Sequence, residues 1–133
     1  MSYYGPATQP ATQAEMEASA SPLTMFTPSN AKWWPGIAKA WVAWTPGGTT
    51  IQASFGVTSI SRSGAGIYTV NFSTNFSSAH YCALWSIESS DGSNWHVQTA
   101  SLSASAANVY VRDTSGGVVD PLAAIIGMFW GDQ

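Results

Sequence analysis

The sequence predicts an all-β chain: an antiparallel β-sandwich or jelly-roll-like domain preceded by an extended N-terminal arm with a short helix. Three observations predict it. First, short apolar-rich runs recur at roughly 8–15-residue intervals, divided by Gly, Ser, Asn and Pro clusters, and none carries a helical period. Second, the 133 residues include only 4 Lys or Arg and 7 Asp or Glu, and that 8% charge compares with ~25% in an ordinary soluble domain. Polarity comes instead from Ser, Thr, Asn, Gln and Gly, as on neutral β faces. Third, 7 Trp, 5 Tyr and 5 Phe, each burying ~150–250 Å² when packed, exclude a disordered polar tract.

Residues 1–37 read as an arm for attachment and oligomerisation, and 38–133 as the sandwich. The first ten residues have no periodicity. Thr12-Gln13-Ala14-Glu15 has the form of a capping box: Thr12 accepts from a backbone N–H at the helix start and Glu15 reaches back to the N–H of Thr12. Met16 is the only sizeable apolar side chain of the one or two turns that follow, and Pro22 ends the option of a longer helix. Met25-Phe26 reads as a hydrophobic plug, and Trp33-Trp34-Pro35-Gly36 as a turn into the main domain.

The strands follow in order. Residues 39–44 form the first, ended by Thr45-Pro46-Gly47-Gly48. Residues 51–60 read as a second. A turn over 61–66 leads into 67–72, where Tyr68, Val70 and Phe72 share a face at period two. In 80–88, Tyr81, Ala83, Trp85 and Ile87 alternate with Cys82, Leu84 and Ser86; both faces are largely apolar, which predicts a strand lying between two layers. The turn cluster 89–94 opens a strand over 95–99, then 108–112, and the apolar run 122–130 closes the sheet. Trp33, Trp34, Trp41 and Trp44 fall within twelve residues. That exceeds what one edge strand buries, so some are expected against the arm or a neighbouring subunit.

Catalytic and metal signals are thin. No Ser lies in Gly-x-Ser-x-Gly, and His80 and His96 read as structural or surface imidazoles. Cys82 reads as a small buried hydrophobe. Asp91, Asp113 and Asp120 sit in or beside Gly- or Pro-containing turns, where Asp bonds its own backbone locally. No enzyme activity, metal or cofactor is expected. A net charge of −3 removes the basic footprint of a nucleic-acid binder, and no run of ~20 apolar residues supports membrane insertion. For binding, Trp85, Trp95 and Tyr110 could stack a sugar while Asp91, Ser93 or Asn94 bonds its hydroxyls; the alternative is that these rings are core. A surface short of Lys and Glu also lacks the usual protection against association, so much of it is expected to face other protein, with a neutral-surfaced monomer as the alternative.

The order of elements resembles a domain found at the C-terminal ends of bacteriophage tail-fibre and related virion proteins. The resemblance is carried by the run Ala11-Thr12-Gln13-Ala14-Glu15-Met16-Glu17-Ala18, Thr27-Pro28, Pro35-Gly36 and the first strand. Residues 51–60, Gly64 to Phe72 and Ala79-His80-Tyr81-Cys82 continue it, with the apolar C-terminal strand completing coverage from about residue 11 to the end. It implies a virion protein, a homotrimer of β-rich chains that meets a host surface glycan or protein, or one that decorates the particle. Fibre proteins carry such a domain behind a long shaft, whereas here a segment of ~37 residues precedes it, with an extended reach of at most ~120 Å. That favours an arm attached to another virion protein or exchanged between subunits. The expected function is therefore a short tail-fibre, spike or receptor-binding subunit. Thr12, Glu15, Met16, Met25, Phe26, Trp33 and Trp34 are its attachment candidates, and Asp91, Ser93, Asn94 and Trp95 its ligand candidates. The alternatives are a capsid decoration (head-fibre) protein clamping shell subunits and, further off, a polysaccharide depolymerase or esterase.

Overall fold

The computed structural model describes residues 10, 12, 14, 27, 28, 30, 31, 34, 36–88 and 94–133. The chain divides into two compact units, Met1–Ile37 and Ala38–Gln133. In the first, Ala14 is helical and Thr12 precedes it, while Glu15, Met16, Met25, Phe26 and Trp33 lie outside the described residues. Thr27 N–H donates to Asn30 Oδ1 at 2.7 Å, and Asn30 and Ala31 N–H both return to the Thr27 carbonyl, closing a tight turn.

The second unit is a sandwich of eight strands: β1 (Ala40–Trp44), β2 (Ile51–Phe55), β3 (Val57–Gly64), β4 (Ile67–Phe72), β5 (Cys82–Ile87), β6 (His96–Ser103), β7 (Ala106–Arg112) and β8 (Ile125–Trp130). They form two four-stranded sheets in the orders β2-β1-β8-β5 and β3-β4-β7-β6, and every pairing is antiparallel. The all-β sandwich follows from the period-two runs. Alternate residues of β1, β4, β7 and β8 are buried, and Val42, Tyr68, Val70, Val109, Ile125 and Phe129 fill the space between the sheets. Each such side chain contributes ~1.5–3 kcal/mol by leaving water.

Two aromatic groups fill the ends of this core. Phe72 meets Phe129 edge-on at 4.9 Å, beside a stacked Phe76–Tyr81 pair at 4.2 Å. At the other end Trp44 meets Tyr68 edge-on at 5.6 Å and Trp85 at 6.3 Å. Tyr81 donates its O–H to the Ala106 carbonyl at 2.9 Å, and burial pushes its phenol up to about 12.

Three expectations need correction. Residues 51–60 are not one strand: Gly56, at φ 68°, breaks the run, and β2 passes into β3 of the opposite sheet through that single residue. A Cβ there would lie 2.6 Å from the Lys39 carbonyl oxygen, so both the dihedral and the close approach require glycine. β1 is an interior strand, between β2 and β8, not an edge; of its indoles Trp44 is fully buried and Trp41 half-buried on the other face. β5 is an edge strand with its second face uncovered: Ala83, Trp85 and Ile87 point inward, while Leu84 is 58% exposed and Cys82, expected to be buried, is exposed beside it.

Candidate functional site

Antiparallel register separates the sandwich into two ends and two outer faces with different chemistry. β1 begins and β8 finishes at one end, since Ala40 pairs with Phe129 and Cys82 with Trp130. The opposite end collects the β1–β2 turn, the β3–β4 turn at Ala65-Gly66, the long β7–β8 connection and the strand termini Ile87 and His96 that flank the turn cluster 89–94. These turns and strand ends thus share one end of the domain, remote from the start of β1 and the end of β8.

That loop end is fastened by one carboxylate. Arg62 donates to Asp120 from both Nε (3.3 Å) and Nη2 (2.5 Å). Gly66 N–H and the Tyr68 hydroxyl donate to Asp120 Oδ1 at 2.8 and 2.5 Å, and the Tyr68 oxygen accepts from Gly47 N–H at 3.0 Å. Asp120 therefore bonds groups 52–58 residues away, where the sequence predicted only local turn bonding. The Arg62 guanidinium, with the Gly66 and Tyr68 donors, holds its carboxyl down at about 2. Burial, then the Asp120 bond, raises the Tyr68 phenol above its usual range. Asp113 does follow the local pattern, accepting from Ser115 N–H, Ser115 O–H and Gly117 N–H. Leu122, 74% exposed, projects from the same connection.

The outer face of β3-β4-β7-β6 is polar. Its central register row runs Ser61, Thr69, Asn108, Ser101. Thr69 Oγ1 donates to Asn108 Oδ1 at 2.6 Å, and Asn108 Nδ2 donates onward to Ser101 Oγ at 2.8 Å. Asn71 Nδ2 bonds Ser59 Oγ and Ser61 Oγ. Nearer the loop end Tyr110 carries the Arg112 guanidinium 5.6 Å above its ring.

The outer face of β2-β1-β8-β5 is the reverse. The row spanning all four strands is Phe55, Trp41, Met128, Leu84; the next is Ala53, Ala43, Ile126, Ser86; and Trp130 pairs with Cys82 beyond them. Phe55 is 60% exposed. Of the ten residues in these rows none is charged, and the polar groups are the Ser86 hydroxyl, the Cys82 thiol and the indole N–H groups of Trp41 and Trp130.

The three rings read as a sugar-stacking set do not share one face. Asp91 and Ser93 lie outside the described residues and Asn94 is exposed. Trp95 packs half-buried against the core. Trp85 points inward, donating Nε1–H to Thr99 Oγ1 at 2.9 Å, whereas Tyr110 lies on the polar outer face, so strand parity separates these rings. Trp34 is 47% exposed. The apolar row was missed, although its strands were located, because parity alone does not say which side of a two-faced apolar strand meets the other sheet. Among the described residues no three His, Cys, Asp or Glu come together in a metal-holding group, and no helix is long and apolar enough to cross a membrane.

Comparison with protein-family models and with curated proteins gives no match. Among solved structures, the chain is similar to the phiAB6 tailspike, crystallised with three-repeated oligosaccharides of Acinetobacter baumannii surface polysaccharide, at TM-score 0.46 and 18% identity. The similarity covers 70% of this chain and 20% of the tailspike chain, so the sequence spans about a fifth of that protein's length.

Proposed function

We propose that the chain is a structural, non-enzymatic subunit of a phage virion, a short tail fibre or spike that works as a homotrimer and contacts the host surface. The observation that carries this reading is the polarity of the sandwich: the chain enters and leaves at one end, and the loops gather at the other. A subunit held through residues 1–37 presents the 113–124 connection and the flanks of 89–94 outward, where a glycan or protein on the host would meet them. The resemblance of residues 11–18 and 64–72 to virion fibre proteins supports the same assignment.

The experiment is immunogold electron microscopy of intact particles with antibody to this chain. A few dozen labels at the tail tip are expected. Hundreds on the head would replace the reading with capsid decoration, and unlabelled particles would refute a virion role. A reducing-sugar and acetyl-release assay on host capsule checks the non-enzymatic part; turnover by the purified chain would overturn it. Deleting residues 1–30 is expected to abolish incorporation while the sandwich stays folded.

A further inference from the structure

We propose that the outer face of β2-β1-β8-β5 is the surface through which copies of this chain bind one another. This rests on the reading of the chain as a self-assembling subunit and names the surface that does it.

The face is laid out by register. Phe55, Trp41, Met128 and Leu84 form one line across four strands, with Ala53, Ala43 and Ile126 in the line beside it. Four strands about 4.8 Å apart and five residues of about 3.4 Å rise give a flat footprint of ~320 Å². Each partner of a standard interface contributes ~800 Å², so this footprint is the apolar core of such an interface, with the remainder as its polar rim.

The choice of occupant follows from chemistry. A glycan needs acceptors as well as donors for its hydroxyls, and beside one hydroxyl, one thiol and the indole N–H groups of Trp41 and Trp130 the rows hold no carboxylate, amide or imidazole. A charged partner finds no countercharge in any of the three rows. What fits is a surface equally apolar and with matching relief, and a second copy supplies it without further specification. Leu84 continues the line of Phe55, Trp41 and Met128 on β5, so the sheet is largely apolar on both sides, as in one covered by two layers. The described part of the chain provides only the inner one, and a neighbouring copy provides the other. Phe55, Trp41 and Leu84 stand above Ala53, Ala43 and Ser86 of the next row, and this relief is what a neighbouring copy packs against. Met128, flexible at the centre, adapts to residual mismatch.

The test uses the full chain, sedimented over nanomolar to micromolar concentration, with Cys82 as a built-in reporter because it is the only cysteine and lies at the edge of this face. The wild type is expected to sediment as an oligomer with slow maleimide labelling of Cys82. Leu84→Asp is expected to weaken self-association more than 100-fold and restore rapid labelling, whereas Ser59→Asp on the polar face changes neither. Ser86→Glu, at an exposed polar position of the same face, repeats the test if Leu84→Asp fails to fold. An oligomeric wild type whose association survives both changes refutes this interface while leaving the self-assembling subunit intact. A monomeric wild type with fast-labelling Cys82 refutes both. A monomer with protected Cys82 assigns the face to residues 1–37 of its own chain, overturning the inference.

Discussion

Replacing Asp120 by Asn tests the fastening of the loop end, because it keeps the shape and removes the charge. The carboxylate accepts from Arg62, Gly66 and Tyr68 together. The amide turns an NH2 toward one of these donors, so the ion pair and at least one hydrogen bond are lost. In the unfolded chain an Asp titrates near ~3.9, and in the fold this one titrates at about 2. A depression of about two units corresponds to at most ~2.7 kcal/mol, and solvent screening of the partly exposed Arg62 pair lowers its share. The NH2 facing a donor adds back a similar amount, giving a loss of about 2 kcal/mol at pH 7. In a domain of this size 1 kcal/mol moves the midpoint by ~4–8 °C, so Tm falls by about 8–16 °C. Because the folded pKa is depressed, the stabilisation is fully present above about pH 4 and is lost as pH falls through about 2. Circular dichroism melts at fixed protein concentration, from pH 7 to pH 2, should show the gap between wild type and Asp120→Asn closing in the acid range. Equal midpoints at pH 7, or a gap of undiminished width at pH 2, would refute the reasoning.

Gly56→Ala places a Cβ 2.6 Å from the Lys39 carbonyl at φ 68°, and is expected to cost more than ~2 kcal/mol by urea unfolding. Gly127→Ala puts its methyl 2.5 Å from Trp85 Cζ3; a loss of ~1–3 kcal/mol is expected, and pairing it with Trp85→Phe in a double-mutant cycle should recover part of that loss. Tyr81→Phe removes the bond to the Ala106 carbonyl, about 1 kcal/mol. Tyr81 titrates at about 12 rather than ~10. Its contribution is therefore intact below about pH 10 and lost as pH rises through about 12, which absorbance at 295 nm should register as a late phenol missing from Tyr81→Phe.

The local grammar of the strands was legible and their surroundings were not. Tyr68, Val70 and Phe72 declare an inward face because Thr69 and Asn71 between them are polar. In β5 and β8 both parities are apolar, so the same rule has no purchase. Only pairing with Phe129 and Gly127 shows that Ala83 and Trp85 are the inner set. Gly56 was hidden by the β-forming residues on either side of it; its positive φ is a property of the corner between sheets. Asp120, next to Pro121, looks like any turn aspartate, and its partner lies 58 residues earlier. The available signal was scarcity: with 4 basic residues in the chain, an Arg within a strand is a strong candidate for a specific carboxylate.

That scarcity also bears on assembly. Four of the described charged side chains bond within the domain: Arg62 with Asp120, Arg112 with the Gly116 carbonyl and the Tyr110 ring, Asp113 within its own turn. The central rows of both outer sheet faces are left neutral. The backbone does not distinguish the two faces, as each presents a register row across four strands. In one row the side chains bond each other, Thr69 to Asn108 to Ser101, and so are satisfied next to water. In the other, the indole N–H of Trp41 is the only donor among Phe55, Trp41, Met128 and Leu84. Without charge to steer an encounter, recognition at this second row depends on relief and register, and a slip of two residues, the period of one face, would bring Ala53, Ala43, Ile126 and Ser86 into the place of its large side chains. The pattern proposed to make the face adhesive therefore also restricts what can adhere: a partner must bring large side chains against Ala53 and Ala43 at that same spacing.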